Sequence, residues 1–194
     1  MSNVIEKKMQ VRFKSLSPVL FCKHYDVEKL ENEEPGDFEK RTWKQRAHYN
    51  EDGKVVISGY MIKTTLELAA KLLGKRVGGK KMGKGLSHYL RLVRVEGDII
   101  TKLTEETITG KNAFVSANGQ VGGGKVSRTF PVVPKWEGVL TLVYPTIGKV
   151  LNPTTIMEHF EIAGSCVGIG HWRPGAPSCG SYGRFNVEKV NNYE

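Results

Sequence analysis

Residues 8–14 alternate with a period of two: Met9, Val11 and Phe13 fall on one side of the chain, which predicts a strand with one buried face. Ser17-Pro18 breaks the pattern and leaves residues 19–21 as a short apolar stub. Alternation resumes over residues 43–49 (Trp43, Gln45, Ala47, Tyr49). Asn50-Glu51-Asp52-Gly53 then turns the chain into residues 54–58, which together predict a hairpin. Helical spacing replaces it over residues 60–73, where Ile62, Leu66, Ala69 and Leu73 share a face and Gly74 suits the end. A second helix starts at Asn152 as N-cap with Pro153 in the first helical position; Ile156, Phe160 and Ala163 form its apolar face, with Val167 just beyond. Between the helices, residues 88–95, 99–103, 113–117, 125–133 and 138–144 read as strands, and residues 184–190 supply a last one. Residues 118–124, NGQVGGG, read as a hairpin tip flanked by Lys111, Lys125 and Arg128.

Strand, helix, several strands, helix, strand is the order of an elaborated split βαβ unit. The expected class is therefore α+β: a ferredoxin-like (RRM-like) antiparallel sheet with both helices on one face and long glycine-rich loops. The other face and the loop tips are expected to stay open for a ligand. The 194 residues suffice for one domain, or for one domain with a long insertion, and no internal repeat of 20–50 residues occurs.

Charge sharpens this picture. The chain carries 29 Lys and Arg against 20 Asp and Glu, a net +9, and the excess is segregated. Residues 71–95 hold eight basic residues and no acidic one, whereas residues 26–39 hold seven acidic residues against Lys29. Segregation of this kind suits an anionic partner better than a uniformly basic surface does. Within the basic loop at 74–87, Lys75, Arg76, Lys80, Lys81 and Lys84 alternate with glycine, so that backbone amides and lysines can both reach phosphates. A solvated charge run is the alternative reading. The acidic stretch at 26–40 carries Pro35-Gly36 and reads as an exposed connector.

Residues 168–187, GIGHWRPGAPSCGSYGRFNV, are rich in glycine and hold two prolines, which excludes regular structure over most of the segment. Trp172, Tyr182 and Phe185 can stack on flat groups, and His171, Arg173 and Arg184 can meet phosphate. Single-stranded nucleic acid is a polyanion with flat faces and matches that combination. For Trp172 two readings stand: a ring exposed to the ligand, or a core residue capping a long turn. Lys125 and Arg128 complete the candidate nucleic-acid contacts.

Several functions find no support. The five histidines show no HxH, HExxH or HxxxH spacing, and Cys22, Cys166 and Cys179 show no CxxC pair, so neither a zinc site nor a disulfide framework is expected. Cys166, in apolar sequence near a helix end, is expected in the core. There is no GxxxxGK[ST] loop and no GxSxG elbow. The expectation is a protein that is not an enzyme, without cofactor or metal. No apolar run approaches membrane-spanning length and no secretory h-region opens the chain, so a cytoplasmic protein is expected.

The residues also resemble a family. An early strand followed by Leu16-Ser17-Pro18-Val19-Leu20, the block 41–70 leading through Asn50-Glu51-Asp52-Gly53 into Ile57-Ser58-Gly59 and a helix, and the glycine-rich ending 163–187 are similar to small phage and prophage proteins. These in turn distantly resemble the RAMP proteins of CRISPR effector complexes, particularly the crRNA-binding backbone subunit. The resemblance covers most of the chain loosely, and only its last 25 residues are specific. It implies a single RAMP-like domain over 1–194 that binds RNA or single-stranded DNA along the backbone, and homo-oligomers assembled on the strand. The acidic connector would then meet the basic face of a neighbouring copy. The expected function is non-sequence-specific single-strand binding in phage replication, recombination or defence evasion. A virion or assembly protein and a nuclease with an unrecognised site are the alternatives.

Overall fold

A computed structural model describes residues 5–77, 84–116, 124–147 and 150–193. Its centre is a four-stranded antiparallel sheet. β1 (Glu6–Ser15) pairs along its whole length with β10 (Glu137–Pro145) on one side and with β11 (Phe185–Tyr193) on the other, and β10 pairs with the short β6 (Arg94–Glu96). The spatial order β11-β1-β10-β6 is the 4-1-3-2 order of a split βαβ unit. Two helices complete that unit: α2 (Gly59–Leu73) before β6, and α4 (Pro153–Ile162) before β11. The fold is thus α+β and ferredoxin-like.

Its local causes are readable. Met9, Val11 and Phe13 are fully buried, and the inward face of β10 adds Leu140, Leu142 and Tyr144. The sheet meets the helices through Phe13, whose ring lies 5.3 Å edge-on to Phe160 and 5.9 Å from Phe185. Removing such a buried ring costs about 3–5 kcal/mol. The Asn152 side chain accepts a hydrogen bond from the Thr155 amide at 2.9 Å and Pro153 opens α4. Ser58 caps α2 through the Tyr60 amide, and Gly74 closes that helix. Ile156, Phe160, Ala163 and Val167 are buried as their spacing requires, and so are Ile62, Leu66 and Ala69; Leu73, the last residue of α2, is exposed.

Three insertions decorate this core. Between β1 and α2 come β2 (Val19–Leu20), α1 (Pro35–Thr42), a 3-10 turn (Trp43–Arg46) and β3 (Lys54–Ser58). Between α2 and β6 lie β4 (Arg76–Val77), β5 (Lys84–Gly85) and α3 (Leu86–Leu90). Between β6 and β10, β7 (Asp98–Thr104) pairs with β3, while β8 (Thr109–Ser116) and β9 (Lys125–Val133) form a long ribbon that also holds β2.

The structure corrects several expectations. Residues 43–49 are not a strand: Arg46 turns inward and pairs with Glu39 at 2.6 Å, and only a single bridge, Tyr49 with Val55, remains of the hairpin. The acidic segment is not all connector, because Pro35 starts α1 and Glu39 is tied to Arg46 and to the Thr129 amide. Residues 88–95 divide into α3 and β6. Cys166 is exposed, on the solvent side of a π-helical turn (Ala163–Val167) that buries Ala163, Gly164 and Val167. The outer sheet face, expected open for a ligand, carries self-neutralising pairs: Lys8 with Glu96, Arg94 with Glu6, and Arg12 with Glu137 and Glu188. The charges of this face thus offset one another, while its side chains stay exposed.

Candidate nucleic-acid interface

The β8–β9 ribbon supplies a platform. Lys111 stands opposite Phe130 and Ala113 opposite Arg128. Opposed residues and residues two apart share a face, so Lys111, Arg128 and Phe130 lie on the same side. Lys125 lies on the other side with Phe114 and Ser127, so the ribbon separates Lys125 from Arg128. The expected tip at 118–124 falls, apart from Gly124, outside the described residues.

The glycine-rich segment docks on the Phe130 side. The His171 amide donates to the Leu20 carbonyl at 2.8 Å, and its ring stacks on Phe130 at 4.7 Å and 19°. Trp172 follows at φ +51°, half-buried, with its ring 5.1 Å from Phe130, 4.9 Å from His171 and 6.4 Å from Tyr182. The Lys111 ammonium donates to the Tyr182 hydroxyl and lies 5.0 Å from that ring's centroid. Five side chains from three separate stretches thereby form one aromatic and cationic cluster. Two glycines permit it. At Gly183 (φ +68°) a side chain would collide with the Ile169 carbonyl oxygen, and at Gly170 (φ +76°) with that of Leu20. Trp172 is thus neither sealed in the core nor free, but one wall of a stack.

Arg173 folds back, its Nη1 donating to the Gly170 carbonyl at 3.0 Å. It lines a cleft of about 300 Å³ with Lys23, His48, Met61 and His171. Burial, then the charge of Arg173, holds His171 below the usual histidine range. Burial, then Lys23, does the same to His48, with Asp98 opposing. Both shifts favour the neutral ring, and the permanent charge of this cleft is that of Lys23 and Arg173. Arg184 stands apart and exposed, its amide donating to Ser17 Oγ at 2.9 Å and its carbonyl accepting from Leu16.

The basic loop is a separate feature. Lys75 and Arg76 border a cleft of about 370 Å³ at the end of α2, where Lys75 pairs with Glu158 of α4 at 3.8 Å. Lys80 and Lys81 lie outside the described residues, and of Lys84 only the backbone, in β5, is described. Sequence reading missed Phe130, Lys23 and His48. Lys23 and His48 meet His171 only through the fold. Among the described residues no group of histidine, cysteine or acidic side chains could hold a metal, and no helix is long and apolar enough to cross a membrane.

No protein-family model matches the chain, and no curated protein does. Among solved structures the chain is similar to one in the cryo-EM structure of the Type III-B Cmr-beta bound to cognate target RNA. The TM-score is 0.60 and the identity 12%, over 96% of this chain and 60% of that one. This chain therefore spans about three fifths of its neighbour's length. The likeness is one of fold, a distant RAMP-like fold.

Proposed function

We propose that this protein binds single-stranded nucleic acid, RNA in the first instance, along the backbone and without reading sequence. The observation that carries the reading is the cluster of His171, Trp172 and Tyr182 against Phe130 and Lys111 on a chain of net charge +9. Half-buried rings beside cations suit bases that stack and phosphates that pair, a recognition mode that tolerates any sequence. The fold neighbour belongs to a complex bound to target RNA, which agrees with this reading. Copies of the chain would assemble side by side on the strand, the exposed acidic residues of segment 26–39 facing the basic side of the next copy. A heterologous contact of this kind repeats without closing.

The test is a polarisation titration of labelled single-stranded RNA, single-stranded DNA and duplex DNA at two salt concentrations. Single strands should bind more tightly than duplex, with log K falling linearly as log salt rises. On strands of increasing length, binding should become cooperative. Equal affinity for duplex, or no binding at low salt, would overturn the proposal; one-to-one complexes on a strand of about 60 nucleotides would remove the assembly.

A further inference from the structure

The segment Phe21–Tyr25 runs between two clefts. On one side is the cleft of His48, His171 and Arg173. On the other is a larger one of about 620 Å³ between α1 and β9, walled by Tyr25, Phe38 and Arg128. Cys22 and Lys23 line both. The two clefts therefore meet at the same two residues, and their chemistries differ. The smaller has two cations, Lys23 and Arg173, and two imidazoles. The larger has two aromatic walls and polar edges. We infer that they form one nucleotide-sized site, in which a phosphate sits between Lys23, Arg173 and the histidines, and a base lies against Tyr25 beside Phe38. The inference deepens the single-strand reading by adding a place where one nucleotide seats.

The walls are preformed. Tyr25 is held by hydrogen bonds of its hydroxyl to Thr42 Oγ1 at 2.8 Å and from Arg46 at 3.1 Å, with the Arg46 guanidinium 5.2 Å from its ring centroid. A fixed ring loses little freedom when a base stacks on it. The one acidic group in the lining, Glu39, is neutralised by the two-pronged contact of Arg46 at 2.6 and 2.7 Å, so it does not repel a phosphate. Volumes of this size fall within the range of small-molecule sites, roughly 300–1,000 Å³. The cleft's apolar lining is Phe21, against His48 at 5.4 Å, and Met61, while Phe130 stacks on His171. Neither ring opposes negative charge; the acidic group felt at His48 is Asp98, which is outside the lining of the cleft.

Cys22 makes the site testable, because all three cysteines are exposed and Cys22 alone lies between the clefts. Alkylation of each thiol by iodoacetamide is followed by mass spectrometry, with and without 5′-AMP and with a decauridylate strand whose binding is measured in parallel. Ligand should slow Cys22 in proportion to the sites filled and leave Cys166 unchanged. Lys23→Ala should weaken 5′-AMP about tenfold, the loss of one charge-assisted hydrogen bond. Lys23 is exposed and only its backbone amide is tied down, to the Arg46 carbonyl, so the variant should fold. Decauridylate bound while Cys22 reacts at its free rate overturns the site and leaves single-strand binding intact. Protection by 5′-AMP without decauridylate binding keeps the site and overturns the strand reading. Neither binding nor protection overturns both.

Discussion

Replacing Trp172 separates a ligand wall from a structural one. A fully buried Trp→Ala change costs about 3–5 kcal/mol. Trp172 is half-buried and rests on Phe130 and His171, so the expected loss is about 2 kcal/mol. Its backbone sits at φ +51°, where any Cβ is strained by about 1 kcal/mol. Trp172→Gly removes the ring and relieves that strain, so it should melt at a higher temperature than Trp172→Ala. A stacked base is worth about 1–3 kcal/mol. Both variants should therefore lose roughly tenfold to a hundredfold in affinity for a single strand, equally, despite their different stabilities. Equilibrium urea unfolding gives the first quantity and polarisation of labelled RNA on the folded protein gives the second. If affinity tracked stability, or if the folded fraction of either variant bound like the parent, the ring would be structural and the reasoning would be wrong.

The Arg46–Glu39 pair joins α1 and its following turn to β9, and Arg46→Met strands a nearly buried carboxylate; urea unfolding should show a loss of about 3 kcal/mol, and a loss under 1 would show the pair to be dispensable. Burial pushes Glu39 up and the Arg46 and Thr129 hydrogen bonds more than reverse it, so its contribution is present above the usual carboxylate range and fades as pH falls through the lowered value. His48, His159 and His171 are all held below the ordinary histidine value by burial, so the unfolded chain takes up protons first on acidification. The melting temperature should accordingly fall between pH 7.5 and 5.5, and a rise would contradict the burial of these rings. Replacing Lys80, Lys81 and Lys84 together by alanine should flatten the salt slope of single-strand binding by about two units, at roughly 0.7 per phosphate; an unchanged slope would make this loop a solvated run.

Periodicity carried the core of the fold. Alternation placed Met9, Val11 and Phe13 inside, and the Asn152-Pro153 start located α4, because both patterns report on one element and its own burial. Residues 43–49 failed for the opposite reason. Their alternation imitates a strand, but the inward position of Arg46 is set by Glu39, Tyr25 and the Thr129 carbonyl, two of them from other elements. Residues 88–95 failed because a five-residue helix is too short to display a period. At the candidate site, residues 168–187 were legible as an aromatic, basic, glycine-rich loop. Their partners were not: Phe130 is ordinary strand sequence until His171 stacks on it, and Lys23 and His48 become neighbours of Arg173 only through the fold.

Photocrosslinking of a 4-thiouridine strand to the protein, followed by peptide mass spectrometry, tests single-strand binding at this edge most directly. Crosslinks should concentrate on Trp172 and Tyr182 and on the strand bearing Lys111, and should vanish with excess unlabelled single strand. Crosslinks confined to the outer sheet face around Arg12 and Arg94, or none at saturating protein, would contradict it.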